Sequence, residues 1–418
     1  MQKRILIGLM LLGGSCTAGC ATWLKTQVLD PTGGRVTVNS GGVIDLENAP
    51  VQLLPEASGS TVQSVATTSA TITYVAHVPP MLVAGKAVQA DTTLIRGNQA
   101  FIGYNTQNGF GGGIQVLDIT KPAQPRIEKS IGFTDIDVNA LYLDGDTLLF
   151  AGEANPDTWG FHACVGEYKL AAGNAGQIFA SVHQLKSYAA TAIDRHGNDY
   201  YVGVGAQGGG IEVLDLSLQE TAFIPDPDIR DIDDSGDDVV ALAGTTDSTA
   251  TTGRLIELKD AKTENEIPIA NFGSDYAKAS IRILERGTAN DTLAFLGLST
   301  AGLVVRDLDA SGSAVFELAN PDADPKHVTN SASTDGKLIF LANGEYGFRV
   351  VQILDLEKTG SAFGQVVGYH PMIGAMYGGQ NYSANYVAFK GNSLFVASGV
   401  GGVNVYEVDQ PGSDPTRG

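Results

Sequence analysis

The chain has 418 residues, of which 26 are basic and 46 are acidic, so its formal net charge is −20. A charge this negative argues against nucleic-acid binding, because the phosphate backbone would be repelled. Charged residues make up only 17% of the chain and hydrophobic residues 43%, which excludes a disordered acidic polymer and allows a sizeable core.

The N-terminus has the pattern of a secretory signal peptide. Two basic residues at positions 3–4 precede an apolar run over residues 5–12, followed by small residues. This run is shorter than the roughly 20 residues that span a bilayer. We therefore expect residues 1–19 to be a signal peptide that is removed.

The next feature is a cysteine that follows small residues. Residues 17–20, Thr-Ala-Gly-Cys, resemble the bacterial lipobox, in which the cysteine is lipidated and becomes the new N-terminus. By this resemblance Cys20 carries the lipid, and Ala21 after it implies an outer-membrane lipoprotein of the bacterial cell envelope, periplasmic or surface-exposed. Two alternatives remain open, lipidation of Cys16 and ordinary cleavage near Ala18 or Ala21.

Residues 20–70 are rich in Gly, Ser, Thr and Pro and poor in apolar residues. This composition favours a lipidated N-terminus followed by a flexible tether, although residues 34–46 are also compatible with a small hairpin. Residues 72–78 form an isolated apolar strand. We assign it as the outer strand of the last repeat, because such pairing joins the chain ends and removes an open sheet edge.

The rest of the chain repeats one unit seven times: a strand, a tight turn with glycine, a strongly apolar strand, a Gly-rich loop and a third strand. Glycine next to Asn, Asp or Lys between apolar runs is a strong hairpin signal, because these turns need positive φ. The turn glycines are Gly97, Gly145, Gly197, Gly236, Gly287, Gly336 and Gly391. Their mean spacing, about 49 residues, is typical of a four-stranded propeller blade.

The second strand of each unit is apolar on both faces, as expected for a strand between neighbouring blades. These strands are residues 100–104, 148–152, 200–204, 239–243, 293–297, 338–342 and 394–398. A parallel α/β fold has similar runs but needs amphipathic helices between them, and the sequence shows no such pattern. We predict an all-β, seven-bladed β-propeller over residues 71–410 and a disordered tail over 411–418.

The third strands carry a family resemblance. Residues 113–125 read Gly-Ile-Gln-Val-Leu-Asp-Ile-Thr-Lys-Pro-Ala-Gln-Pro, and residues 210–215 and 302–307 share the core of this pattern. The pattern resembles the LVIVD repeat of cell-surface β-propellers, and that resemblance implies a fold and a location rather than a chemistry. Its aspartate, Asp118 here, is expected to accept N–H groups of the following turn.

Three long loops between the strands are unusually rich in aromatic and amide side chains: residues 104–113, 153–164 and 369–386. Aromatic rings with amides beside them suit a sugar or a peptide. The candidate ligand- or partner-binding residues are Tyr104, Asn108, Phe110, Asp157, Trp159, His162, His370, Tyr377 and Asn381. We expect Phe110, Trp159, His370 and Tyr377 to form one exposed patch. The alternative is that these aromatic residues seal the loops over the core.

Metal and cofactor signals are weak. Asp231, Asp233 and Asp234 lie in an acidic run, but their spacing does not match the helix–loop–helix calcium pattern. The six histidines and Cys164 show no ligand spacing. We expect no cofactor, with calcium at the acidic run as the open alternative.

Together these patterns predict a monomeric, lipid-anchored envelope β-propeller that is a binding scaffold for an envelope protein or a glycan, with no nucleic-acid partner. The alternative is a propeller-type hydrolase or lyase for sugars or lactones, with carboxylates or a divalent ion at the channel mouth. Acids or histidines that converge on the first strands would favour the enzyme. The charged residues expected there are Asp91, Asp137, Arg230 and Arg282.

Overall fold

Seven antiparallel sheets form a ring in the computed structural model, so the predicted β-propeller is confirmed. The structure describes residues 26–29, 35–39, 41–42, 44–56, 70–170, 180–205, 208–247, 249–272, 278–286, 291–309, 312–372 and 382–410. Strands are numbered along the chain, and each blade is given from its inner to its outer strand. Outside the blades, β5 (Leu82–Val83) and β6 (Lys86–Ala87) form a two-stranded sheet just before blade 1.

The first four blades are continuous in sequence. Blade 1 contains β7 (Gln89–Arg96), β8 (Gln99–Asn105), β9 (Gly112–Asp118) and β10 (Arg126–Phe133). Blade 2 contains β11 (Ile136–Asp144), β12 (Thr147–Ala154), β13 (Ala163–Lys169) and β14 (Ala180–Gln184). Blade 3 contains β15 (Ala190–His196), β16 (Asp199–Val204), β17 (Gly210–Asp215) and β18 (Glu220–Pro225). Blade 4 contains β19 (Ile229–Asp234), β20 (Val239–Ala243), β21 (Thr252–Lys259) and β22 (Lys262–Ala270).

The last blade combines both ends of the chain. Blade 5 contains β23 (Ser280–Glu285), β24 (Thr292–Gly297), β25 (Leu303–Asp307) and β26 (Ser313–Leu318). Blade 6 contains β27 (Ser331–Thr334), β28 (Leu338–Ala342), β29 (Phe348–Ile353) and β30 (Gly364–His370). Blade 7 contains β31 (Tyr386–Lys390), β32 (Ser393–Ala397), β33 (Val403–Asp409) and β4 (Thr71–Val78). Strand β4 pairs antiparallel with β33, from Val78 opposite Val403 to Thr71 opposite Asp409, which confirms the predicted ring closure.

The second strands are buried because they lie between neighbouring blades. Strands β20, β24, β28 and β32 are buried at every residue. The hairpin turns also follow the prediction, since Gly97 and Gly145 have φ of +55° and +56°. Asp118 accepts the N–H of Thr120 at 2.8 Å and its hydroxyl at 2.6 Å, as expected for the repeat aspartate.

The region expected to be a tether differs from that expectation wherever the structure describes it. Three short strands add a fifth strand to three blades: β1 (Thr26–Leu29) pairs with β14, β2 (Val36–Asn39) with β10, and β3 (Asp45–Pro50) with β4. Every residue of β3 is exposed, so this strand is held by its backbone ladder and leaves no apolar pattern in the sequence. The open alternative of a local hairpin is not observed, because β2 and β3 pair with different blades.

Residues 44–56, which we call the strap, continue from blade 7 to blade 6. Leu54 forms a β-bridge with Tyr369 of β30. Beyond it, the Glu56 carboxylate pairs with the Arg349 guanidinium of β29, and the second contact, from Nη2 to Oε2, is 2.9 Å. The Arg349 side chain is only 1% exposed, so the strap supplies the counter-charge of a buried arginine.

Antiparallel order places the connections from second to third strands and from blade to blade on one end of the ring, here called the loop face. The opposite end, with the first-to-second and third-to-fourth turns, is the hairpin face. Two further elements are the short helix α1 (Pro156–Trp159), on the loop face, and a 3-10 turn at Gly360–Ala362. Within the described ranges, no helix has the length and apolar character needed to cross a membrane.

Candidate functional site

The expected exposed aromatic patch is wrong for Trp159, which lies in the core between blades 1 and 2 and is 3% exposed. Its ring packs against Phe161, and the Arg35 guanidinium lies 4.2 Å above it. The physical reason is that helix α1 turns back toward the sheet, where burial of the indole gains more free energy than exposure. Trp159 therefore seals the loop, as the alternative interpretation stated.

His370 is also buried rather than exposed, at 9% exposure. It packs against Phe348 at 5.3 Å and edge-on to Tyr406 at 5.9 Å between ring centroids. This burial lowers the pKa of His370 to about 4, because the imidazolium would lose its hydration. Tyr104 is fully buried as well, and its hydroxyl donates to Gln115 at 2.8 Å.

The remaining predicted residues are accessible or lie outside the described ranges. Asn108 and Asp157 are exposed, and Phe110 and His162 are half-buried. Tyr377 and Asn381 lie outside the described residues. The loop with Asn108 is held by Asp137, whose carboxylate accepts the N–H of Thr106 at 3.0 Å and of Gly111 at 3.2 Å. Asp137 therefore positions this loop instead of lining the channel.

The central channel contains a cavity of about 140 Å³ lined by the inner strands of blades 1–5 and by Tyr386 of blade 7. Asp194, Asp231, Asp233 and Arg282 converge on it. The Arg282 side chain is 57% exposed although it lies inside the ring, so the cavity is solvated. The channel thus places carboxyl, guanidinium and phenol groups around one solvated space.

The end of the channel near the loop face is crossed by a lysine. Lys278 Nζ of blade 5 donates to the Asp91 carboxylate of blade 1 at 2.8 Å and to its carbonyl oxygen at 2.6 Å. The same ammonium lies 5.1 Å from the ring centroid of Tyr386, in a cation–π contact. The three aspartates lie further along their strands, toward the hairpin face. A ligand would therefore meet the carboxyl groups from the hairpin face.

The three aspartates also hold the blades together. Asp194 accepts the N–H of Asp234, Asp231 accepts that of Ile281, and Asp233 accepts that of Ile283. These bonds join the inner strands of blades 3, 4 and 5. Seryl oxygens do the same in blades 6 and 7, where Ser331 and Ser333 accept N–H groups of β31. The carboxyl groups thus combine a structural function with access to the cavity.

Burial and mutual repulsion shift the protonation of these groups. Burial raises the pKa of Asp231 to about 7. Burial and the neighbouring Asp233 carboxylate raise the pKa of Asp194 well above its ordinary range. Burial raises the pKa of Asp233 as well, although the Arg282 guanidinium at 3.8 Å opposes that shift. Near neutral pH the cavity thus holds both proton donors and acceptors.

Sequence reasoning placed Asp91, Arg230 and Arg282 near the channel, and the structure does so. It missed Asp194, Asp231 and Asp233 as channel residues and read two of them only as a weak calcium signal. The available signal was their position on the inner strand, three to five residues before the hairpin glycines Gly197 and Gly236. Across the part of the chain that the structure describes, no three His, Cys, Asp or Glu side chains are grouped to hold a metal ion.

Comparisons with known proteins support the fold. No family model and no curated protein matches this sequence. Among solved structures, a chain of Kuenenia stuttgartiensis hydrazine synthase is similar with a TM-score of 0.52 and 12% identity over 76% of this chain and 94% of that chain. A chain of a mitotic checkpoint complex is similar with a TM-score of 0.51 and 11% identity over 77% of this chain and 93% of that chain. At such low identity the likeness shows a shared fold alone.

Proposed function

We propose that this β-propeller is a lipid-anchored binding scaffold of the bacterial cell envelope, and that its channel binds the hydroxyl-rich end of a glycan. The observation that carries the binding proposal is the solvated channel cavity with converging Asp231, Asp233, Arg282 and Tyr386. Carboxylates accept hydrogen bonds from sugar hydroxyls, a guanidinium donates to them, and an aromatic ring covers a sugar face. The anchoring proposal rests on the lipobox-like residues that end at Cys20.

The anchor is tested by fractionating cells that produce the parent protein, Cys20→Ala or Cys16→Ala. Stable anchoring needs more than one acyl chain, as a lipoprotein N-terminus provides. We expect Cys20→Ala to leave the membrane fraction while Cys16→Ala stays in it. Retention of a processed Cys20→Ala protein in the membrane would contradict the proposal.

The channel site is tested by saturation-transfer NMR with glucose, galactose and N-acetylglucosamine as probes. Asp233→Asn should weaken binding of the recognised sugar about tenfold, because a charge-assisted hydrogen bond contributes roughly 1.5–3 kcal/mol. Asp237→Asn removes an exposed carboxylate from the adjacent hairpin turn and is the matched control. Equal binding by both variants would place the sugar elsewhere.

A second candidate function, glycoside hydrolysis, is favoured by one specific observation. Burial raises the pKa of Asp231 to about 7, so this carboxyl is partly protonated near neutral pH, and the Arg282 guanidinium opposes the rise in the pKa of Asp233 two residues away. A carboxylic acid beside a carboxylate is the arrangement that glycoside hydrolysis requires. If the protein releases nitrophenol from nitrophenyl glycosides, Asp231→Asn should abolish turnover while it retains sugar binding. If a sugar binds and no nitrophenol is released, hydrolysis is excluded for these substrates and the binding-scaffold proposal stands.

A further inference from the structure

Tyr188, on the loop face between blades 2 and 3, exposes an aromatic ring that no packing requirement explains. Its side chain is 60% exposed, more than any other large hydrophobic side chain that the structure describes. One face of the ring packs on the His162 imidazole, with 4.4 Å between centroids and 31° between planes. His162 Nδ1 lies 3.6 Å from Glu153 Oε1. We call Glu153, His162 and Tyr188 the Tyr188 shelf.

The backbone next to Tyr188 has two features that each cost free energy of folding. The N–H of Lys186 donates to the carboxylate of Glu212, a glutamate that is 0% exposed. Ser187 adopts a φ of +68°, a left-handed conformation that is unfavourable for serine. The next turn is closed by a 2.9 Å hydrogen bond from the Gly205 N–H to the Ala189 carbonyl oxygen.

A buried carboxylate and a left-handed serine both oppose folding. Neither buries the ring of Tyr188; together they fix the backbone from which Tyr188 projects, and the stack on His162 orients its ring. Fixing a recognition group before binding lowers the entropy lost on association. Such strain at an exposed aromatic residue is therefore best explained by recognition of a partner.

The charges around the shelf indicate the chemistry of that partner. Glu153 lies beside the stacked rings, and Asp157 is exposed on the same loop of blade 2. The whole chain has 20 more acidic than basic groups, a field that attracts cations and repels acidic partners. An aromatic face next to a carboxylate binds ammonium and guanidinium groups.

We propose that the Tyr188 shelf is a docking site for a protein segment that presents an arginine or lysine side chain. The cation would cover the face of the Tyr188 ring that His162 leaves free, within the negative field of Glu153, which lies 3.6 Å from the imidazole on the other face. This site is independent of the glycan proposed for the channel, because it lies on the loop face and shares no residue with the channel.

The test measures binding of a fluorescent acetyl-Gly-Arg-Gly-Arg-Gly amide peptide to the purified full chain by anisotropy. The citrulline version of the peptide is the uncharged control. Tyr188→Ala and Glu153→Gln should each weaken the arginine peptide at least threefold. Leu216→Ala, which shortens a side chain that is 50% exposed on the hairpin face, is the control for Tyr188. Glu128→Gln, which removes an exposed carboxylate from blade 1, is the control for Glu153.

Preference for arginine over citrulline that is lost only in the two shelf variants would support the proposal. Equal weakening by Glu128→Gln would show unspecific attraction to the acidic surface and overturn it. Absence of arginine-dependent binding would also overturn the proposal. Binding of chitotriose that depends on Tyr188 would overturn it as well, because the shelf would then recognise a neutral glycan.

Discussion

The ion pair between Glu56 and Arg349 offers a sharp test of how the strap contributes to stability. Arg349 is 1% exposed and Glu56 is 23% exposed. Besides the two contacts with Glu56, the guanidinium donates from Nη1 to the Ala319 carbonyl oxygen at 2.9 Å. Glu56→Gln would therefore leave a buried arginine with neutral acceptors alone.

Removing one partner of a fully buried ion pair costs about 3–5 kcal/mol. The glutamine oxygen still accepts one hydrogen bond, and position 56 is partly solvated, so we expect a loss of about 2–3 kcal/mol. With an unfolding entropy of about 2.1 cal/mol/K per residue over roughly 340 propeller residues, each kcal/mol corresponds to about 1.4 °C. The expected decrease in Tm is thus about 3–4 °C.

The assay is thermal unfolding and urea unfolding, both followed by circular dichroism, with Glu345→Gln as the matched control. Glu345 pairs with Lys326 at 3.1 Å, but the lysine side chain is 58% exposed, so its loss should cost less than about 1 kcal/mol. Glu56→Gln combined with Arg349→Met should recover most of the stability, because the unpaired charge is removed. Equal midpoints for Glu56→Gln and Glu345→Gln would refute the reasoning.

Three further predictions concern the core and the channel. The pKa of Asp231 is raised to about 7, so the folded protein binds a proton at this carboxyl more tightly than the unfolded chain does. The stability that this proton contributes is therefore present near pH 4 and is lost as the pH rises to about 7. Asp231→Asn should make the free energy of unfolding less dependent on pH and raise it at pH 8, by at most about 4 kcal/mol at 1.36 kcal/mol per pH unit. If the urea midpoints of the variant fall with pH as steeply as those of the parent, the raised pKa of Asp231 is contradicted. Trp159→Ala should cost about 3–5 kcal/mol in urea unfolding, because the indole is 3% exposed in the core; a near-zero change would restore the surface interpretation. Gly166→Ala would place a Cβ 2.1 Å from the Phe150 ring and should cost about 1–3 kcal/mol, whereas Gly205→Ala, with its nearest atom at 3.5 Å, should be close to neutral in the same assay.

The blades were predictable because their sequence signals are local. The hairpin glycines that the structure describes, such as Gly97, have the positive φ that these turns require, and Gly287 lies outside the described residues. Each second strand is apolar on both faces because both faces contact a neighbouring blade. The strap was not predictable in the same way, because β3 is exposed at every residue and is held by backbone hydrogen bonds, which depend little on the side chains.

The site was harder to predict, since composition does not show which way a side chain points. Trp159 and His370 have the residue types of a binding patch, but helix α1 places Trp159 in the core and His370 ends strand β30, where it packs against Phe348. Tyr188 stands alone in an unremarkable stretch, and its significance depends on the backbone of Ser187 and on buried Glu212, which lies far along the chain.

The channel aspartates show why one residue can belong to both the fold and the site. The inner strands of neighbouring blades are not joined by a backbone ladder, and Asp194, Asp231 and Asp233 link them by accepting N–H groups of the next blade. In blades 3 and 4 these acceptors are carboxyl groups, whereas in blade 6 the hydroxyl groups of Ser331 and Ser333 make the equivalent contacts. Serine would satisfy the same backbone donors without the cost of burying charge. The cost of placing carboxyl groups rather than hydroxyls on blades 3 and 4, beside the solvated cavity, is the reason why we propose that they recognise a ligand.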